Sequence, residues 1–349
     1  MINRGIGVII CLVTLFIAKT ISNYVGIIIF GLSKSPISPI IIAILIGLII
    51  SNSFKSITAY SDGFNFCSNY LLKLGIILLG IRLSLSDIAL YGLKGIIVII
   101  PCIIMAIISA RTLHKYFNVS DKLSLLVAVG TSICGATAIM ALAPLIKAKK
   151  EEISYAIANI TIFGLFAMFL YPIIANLLFN NYSLATGLFL GSSIHETAQV
   201  TGSAMIYAGQ YSNPSVLEIA TVIKLVRNTA MVVVLPFLAH LFFKNEIHNN
   251  IKVSTNSIFP YFIIGFIIFG LIRTLGDYYE YIIGNILWEN IIYFIKWLAE
   301  NFLIVAMASI GFNTKIDKFK KLGMSPFYLG FIVAVIVGIV SISTIYIMV

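Results

Sequence analysis

Charged residues are scarce in this 349-residue sequence: Asp, Glu, Lys and Arg make up 10% of it, compared with about 25% in soluble globular domains. Apolar residues make up 60%, and the mean hydropathy is +1.05. The longest polar stretch, Lys244 to Ser257, is too short to form a soluble domain. Because so few charged side chains cannot cover a water-soluble surface, we expect a single integral membrane domain over residues 1–349.

Enzyme signatures are also lacking. The four cysteines lie in apolar stretches without paired or metal-binding spacing, so we expect them to be buried: Cys11, Cys67, Cys102 and Cys134. The run His195-Glu196-Thr197-Ala198-Gln199 has Gln where the H-E-x-x-H zinc motif has its second His. No phosphate-binding loop or nucleophile elbow is present. We therefore expect no enzymatic activity, no bound metal and no cofactor.

Long apolar runs, separated by polar punctuation, predict eleven membrane segments: about 5–21, 37–54, 66–85, 93–110, 123–146, 153–178, 184–208, 216–243, 258–275, 291–312 and 326–348. The first follows Arg4 without a small-x-small cleavage site, so we expect a membrane helix rather than a signal peptide. The net charge of +10 resides mainly between the segments, which is typical of loops beside anionic lipid and not of a nucleic-acid surface.

The sequence contains an internal repeat. Residues 130–139 (Gly-Thr-Ser-Ile-Cys-Gly-Ala-Thr-Ala-Ile) align with residues 191–200 (Gly-Ser-Ser-Ile-His-Glu-Thr-Ala-Gln-Val). Downstream, Pro172 corresponds to Pro236. We therefore divide the membrane domain into a first helical group (5–110), a repeated core (121–243) and a last helical group (258–349).

Basic clusters flank segment 123–146 on both sides, whereas the flanks of 184–208 are almost uncharged. If both segments enter the bilayer and return, every basic cluster is cytoplasmic and the two repeats are inverted. The alternative is that both segments cross fully, at the cost of one misplaced basic loop. We expect an all-α integral membrane protein with an inverted-repeat secondary-transporter fold, about 9–11 membrane segments and two broken or re-entrant helices.

Small polar residues interrupt both repeat segments at mid-length. A helix broken there exposes backbone N–H groups and a positive dipole end, which suit an anion. The candidate substrate-binding residues at the breaks are Thr131, Ser132, Cys134, Gly135, Ser192, Ser193 and His195. The alternative is that Gly, Ser and Thr only permit close helix packing.

Glu196 lies at the second break, and an ionisable residue at membrane depth is functional by default. We predict that it binds the coupling ion, H⁺ or Na⁺. Gln199 lies three residues on, on the same helical face, and is assigned to the same ion. The alternative is a structural pair between Glu196 and a lysine.

Lys224, Arg227 and Asn228 share one helical face in segment 216–243 and complete the predicted substrate site. Two cations in an apolar helix need an anionic partner: Glu196, Glu218 or the substrate. Arg suits a carboxylate, sulfonate or sulfate because it donates two parallel hydrogen bonds. The alternative is that the cations extend toward the membrane surface.

Together these motifs resemble a known family. The run Leu74-Gly-Ile-Ile-Leu-Leu-Gly-Ile-Arg82, both repeat motifs and Lys224-Leu-Val-Arg-Asn228 are similar to the bacterial YeiH-type family, named for sulfate export, over nearly the whole chain. The resemblance implies a multi-pass bacterial inner-membrane protein with an inverted-repeat transporter core. Glu196-Thr197-Ala198-Gln199 also resembles the Glu-Thr-Gly-x-Gln sodium site of bile-acid symporter relatives, although Gln comes one position sooner.

The sequence therefore predicts a secondary active transporter of a small anion, such as sulfate, sulfite or an organosulfonate, coupled to H⁺ or Na⁺. The expected partners are that anion, the coupling ion and the lipid bilayer, and a homodimer is compatible with such a carrier. A passive anion channel and a non-transporting receptor or scaffold are the alternatives.

Overall fold

A computed structural model describes residues 2–24, 39–243, 261–279, 285–314 and 324–348. Across these ranges the regular structure is helical and no β-strand is present. This follows from the long apolar runs, because a backbone surrounded by lipid must satisfy its hydrogen bonds within its own segment. The expected all-α integral membrane class is confirmed. The four cysteines are free and buried, as predicted.

The helices follow the predicted segments closely. The first five are α1 (Ile2–Asn23), α2 (Pro39–Ser53), α3 (Ser61–Phe66), α4 (Leu72–Leu79) and α5 (Leu85–Leu113). The next seven are α6 (Asp121–Val129), α7 (Gly135–Leu145), α8 (Lys150–Phe179), α9 (Ser183–Ser193), α10 (Thr197–Gln210), α11 (Ser215–Thr229) and α12 (Met231–Phe243). The last three are α13 (Phe262–Tyr278), α14 (Asn285–Asn313) and α15 (Met324–Met348).

Eight helical stretches within the described ranges are long and apolar enough to cross a bilayer: Asn3–Asn23, Ser56–Arg82, Leu85–Leu113, Asp121–Leu145, Glu151–Phe179, Ser215–Leu238, Asn285–Asn313 and Met324–Met348. Eight is fewer than the eleven predicted segments for identifiable reasons. Helices α2 and α13 are apolar but have only 15 and 17 residues. Segment 184–208 is divided between α9 and α10, with 11 and 14 residues.

Both repeat segments are broken, as predicted, and at nearly aligned positions. The first break separates α6 from α7 at residues 130–134, and the second separates α9 from α10 at residues 194–196. The following helices differ, because α8 is continuous over 30 residues whereas 216–243 forms two consecutive helices, α11 and α12. The inverted relation of the two repeats stays a prediction.

The chain forms two compact units. Unit 1 contains the described residues of Met1–Leu90, Ala204–Glu218 and Tyr261–Asp317. In it, α14 packs against α2 and α4, and the Phe64 and Phe312 rings stack with their centroids 4.6 Å apart. Arg82 forms a hydrogen bond with Glu300 and lies 3.7 Å from the Glu218 carboxylate. Charged side chains therefore join three separate stretches of this unit.

Unit 2 contains the described residues of Tyr91–Ser203, Ile219–Pro260 and Lys318–Val349, including both breaks. Helix α8 packs against α6 and α7, and α9 packs against α8 and α15. In the stretch Asp121–Leu145, 78% of an 18-residue apolar portion is buried, compared with 33% to 56% of the corresponding portion in the other seven spans. Irregular backbone is tolerated at membrane depth only where protein or water surrounds it, and this burial meets that condition. The three sequence-based helical groups stay a prediction.

Helices α2 and α14 approach closely at a pair of glycines. A methyl carbon on Gly47 would lie 2.5 Å from the Ala308 carbonyl oxygen and 2.8 Å from the Phe312 nitrogen. Both neighbours are backbone atoms, so the helices themselves would have to separate. Small residues at such contacts give membrane helices their packing energy.

We predict that Gly47→Ala destabilises the protein by about 2 kcal/mol, because overpacking forces the backbone to shift. The measurement is the Tm of the purified protein in detergent. Gly5→Ala is the matched control, because a methyl group there meets no atom within 4 Å. Equal Tm values for the two variants would contradict this account of the α2–α14 contact.

Candidate functional site

The candidate site is formed by the two breaks of unit 2 and the side chains of α11 that reach them. At the first break, residues 130–134 form a wide helical turn, and Cys134 is extended (φ −150°, ψ 75°). Gly135 then takes a positive φ of 31°, which L side chains rarely adopt. At the second break Ile194 is extended, with φ −82° and ψ 143°. The Gly-rich motifs therefore interrupt the helices where the sequence predicted.

Lys224 is fully buried, and its ammonium group donates to three backbone carbonyls. The acceptors are Ile133 at 2.9 Å, Ile194 at 3.1 Å and His195. A neutral amine has only two N–H donors, whereas the ammonium has three and accepts nothing. Three carbonyl acceptors around one nitrogen therefore fit the charged form.

Arg227 is also fully buried and makes the same kind of contacts one helical turn further along α11. Nε donates to the Ser132 carbonyl at 2.5 Å, and Nη1 donates to the carbonyls of Ser192 at 2.6 Å and Ile194 at 2.8 Å. Nη2 donates to the Thr131 carbonyl. The guanidinium thus bridges the two breaks.

These carbonyls terminate the first half of each broken helix. The last carbonyls of a helix lack intrahelical partners and carry a partial negative charge. The Lys224 and Arg227 side chains supply both the missing donors and the compensating charge. Of the ion pairs between described side chains, none contains either cation. The alternative that they extend toward the membrane surface is wrong, and their predicted grip on a substrate stays a prediction.

Glu196 lies at the opposite ends of the broken helices. Its carboxylate accepts a hydrogen bond from the Ala136 N–H at 3.3 Å, in the first turn of α7, and Glu196 itself immediately precedes α10. A methyl group on Gly135 would overlap the Glu196 side chain, so only glycine fits there. The helix N-termini carry partial positive charge, which stabilises the carboxylate. Glu196 is half-buried, whereas the two cations are fully buried.

Gln199 and Asn228 brace the second break. The Gln199 side chain accepts from the Glu196 backbone N–H at 3.1 Å and donates to the Thr161 carbonyl of α8 at 3.4 Å. Asn228 donates to the Thr197 hydroxyl at 3.1 Å. Both side chains are buried. Gln199 therefore contacts the backbone of Glu196, and its predicted role in binding the coupling ion is untested.

The small polar residues divide into two groups. The Ser192 and Ser193 hydroxyls donate to helix carbonyls one turn back, and Ser192 also lies 2.7 Å from the Ser341 hydroxyl of α15. By contrast, two buried atoms of the breaks have no hydrogen-bond partner: Ser132 Oγ and His195 Nδ1. Buried polar atoms are normally paired, so these two are candidates for a ligand or water contact.

The sequence did not predict several contacts at the site. Ser341 and Gly164 were not singled out, yet Ser341 meets Ser192, and a methyl group on Gly164 would overlap Gln199. Neither residue belongs to a motif, and only the packing of α8 and α15 reveals them. Cys134 lies 3.8 Å from the Thr197 hydroxyl, which joins the two predicted motifs. Within the described ranges, no cluster of three His, Cys, Asp or Glu residues suits a metal ion.

The chain is similar to known bacterial proteins. The model of a family described as conserved hypothetical protein 698 matches residues 9–330. A UPF0324 membrane protein of Fusobacterium nucleatum is 34% identical over 98% of this chain and 97% of its own length. UPF0324 membrane proteins of Bacillus anthracis and Bacillus cereus are 33% and 35% identical, covering 99% and 88% of this chain and 94% and 86% of theirs. No solved structure matches the chain.

We predict that Lys224→Met destabilises the protein by about 2–4 kcal/mol, because three buried carbonyls lose their charged donor. Removal of the burial cost of the ammonium offsets part of this loss. The measurement is thermal unfolding of the purified protein in detergent. Lys94→Met is the matched control, because Lys94 is a half-buried lysine of the apolar helix α5. If both variants unfold at the wild-type temperature, Lys224 does not hold the breaks together.

Proposed function

Because the chain belongs to the UPF0324 family of bacterial membrane proteins, the YeiH-type family that its motifs resemble, we propose that it is a secondary active transporter of a small anion. Sulfate, sulfite and organosulfonates are the candidate substrates, and H⁺ or Na⁺ is the coupling ion. The chain is a multi-pass protein of the bacterial cell membrane, so the proposed substrate crosses that membrane.

One observation carries this proposal: two cations are buried at the helix breaks, and within the described ranges Glu196 is the carboxylate at these breaks. Lys224 and Arg227 have no exposed surface, and Lys224 donates to the carbonyl of His195, the residue next to Glu196. Burying a charge inside a membrane is costly unless an opposite charge compensates it. Among the described residues, one of the two positive charges at the breaks therefore lacks a carboxylate partner, which favours binding of an anion.

The broken helices support a carrier mechanism. Transporters built from inverted repeats place substrate where discontinuous helices meet. With 11 and 14 residues, α9 and α10 span about 16 and 21 Å, or roughly half to two-thirds of the hydrocarbon core. Each half is therefore too short to cross alone, and these lengths are compatible with both alternatives for 184–208, re-entry and a full crossing by α9 and α10 end to end. Alternating access to the breaks is then the proposed transport cycle.

Glu196 is the proposed coupling residue. Its side chain keeps some exposed surface, which the proposed exchange of an ion requires, and its backbone N–H donates to the Gln199 side chain. A proton or Na⁺ on this carboxylate changes the charge beside Lys224, and thereby the affinity for an anion. The proposal includes no enzymatic step and no cofactor. Assembly as a homodimer is compatible with it.

The direct test is flux through proteoliposomes containing the purified protein, with radiolabelled sulfate, sulfite and taurine as probes. A carrier gives saturable uptake that is accelerated by the same anion inside the vesicle. Conductance without such counterflow would indicate a passive channel, and binding without flux would indicate a receptor or scaffold. If none of the probes, nor a small carboxylate, binds or moves, the proposed function is overturned.

We predict that Glu196→Gln removes the dependence of anion flux on an imposed H⁺ or Na⁺ gradient, because the amide cannot bind either ion as a carboxylate does. The measurement compares flux with and without each gradient. Glu289→Gln is the matched control, since Glu289 is an exposed carboxylate of α14. An unchanged gradient dependence in Glu196→Gln would remove the coupling role from Glu196.

A further inference from the structure

Given the anion transport proposed above, we infer that the site selects its substrate by valence. It takes a singly charged oxyanion while Glu196 is ionised, and it takes a doubly charged anion only when the Glu196 carboxyl group is neutral. The inference follows from the charges of the residues at the two breaks.

The positive charges at the breaks are fixed. Lys224 has three carbonyl acceptors, a number that only the ammonium form can serve, so we count it as charged; the guanidinium of Arg227 is always protonated in proteins. Arg227 donates to the backbone carbonyls of Thr131, Ser132, Ser192 and Ile194, so the N–H groups of both cations are mostly used by the backbone. The two side chains thus provide a permanent field more than they provide free donors.

One negative charge opposes them. Glu196 is the carboxylate at the breaks, and it lies at the N-terminal ends of α7 and α10. The other titratable groups of the two breaks are the Cys134 thiol, which lies 3.8 Å from the Thr197 hydroxyl, and the imidazole of His195, and we count both as neutral. A proton on His195 would add a third positive charge beside Lys224 and Arg227, at a further cost in desolvation. The four helix ends cancel, because two are positive and two negative.

The net charge of Lys224, Arg227 and Glu196 is therefore +1 when Glu196 is ionised and +2 when it is neutral. A singly charged anion neutralises the first state and a doubly charged anion neutralises the second. An uncompensated charge in a buried site costs several kcal/mol, so the mismatched anion binds much more weakly. Ser132 Oγ is buried and unpaired, and its hydroxyl can donate to an oxygen atom of a tetrahedral anion.

The test uses two tetrahedral probes that differ in charge, methanesulfonate and sulfate. Their dissociation constants are measured by titration calorimetry on the purified full-length protein in lipid nanodiscs, at constant ionic strength and neutral pH. For the wild type we expect methanesulfonate to bind about tenfold or more tightly than sulfate. For Glu196→Gln we expect the ratio to shift by about tenfold or more toward sulfate, which corresponds to about 1.4 kcal/mol.

Two control variants accompany this comparison. Glu196→Asp keeps the negative charge and should retain the wild-type preference, and the exposed Glu289→Gln should leave the ratio unchanged. A second measurement needs no variant: sulfate binding to the wild type in weakly buffered solution should take up about one proton per anion, and methanesulfonate none.

The outcomes separate the inference from the proposed function. If both anions bind with the same ratio in the wild type and Glu196→Gln, or if sulfate binds without proton uptake, the valence rule is wrong and the transporter proposal stands. If neither these probes nor the panel used for flux binds at all, both are overturned.

Discussion

The hydrogen bonds from Lys224 and Arg227 to the backbone carbonyls of two broken helices are the interaction on which the site depends. A helix that ends inside a membrane leaves carbonyls without donors, and no water is available there to replace them. Helix α11 provides those donors for both breaks at once. Without these contacts, the carbonyls that end the first half of each broken helix would lack donors, and the irregular backbone that positions Glu196 beside α7 would be less stable.

The charges are segregated along the broken helices. The cations lie at the carbonyl ends, where the helix dipoles are negative, and Glu196 lies at the amide ends, where they are positive. Each charge is thereby stabilised by backbone before any ligand arrives. This explains how three ionisable groups are kept in the apolar unit 2, although the charge of each alone would be expensive to bury. The anion proposed above would then compensate only the difference between these charges.

The sequence predicted the breaks and the residues at them, because Gly, Ser and Thr clusters repeat at aligned positions and Glu196 stands out in an apolar run. It did not predict the partners of Lys224 and Arg227. Those partners are backbone atoms 29 to 96 residues away, and residue types do not show which carbonyls lose their helical donors. The contact of Gly135 with Glu196 was hidden for the same reason, since it joins the two repeats through packing.

The carbonyl of Ile194 accepts from both Lys224 and Arg227, and each of these side chains also holds the first break. The two breaks and α11 are therefore tied into one mechanical element of unit 2. Sliding one break past the other would strip donors from several buried carbonyls simultaneously. In the proposed transport cycle, these contacts favour movement of the two breaks and α11 together as a rigid body, with the conformational change elsewhere in the chain.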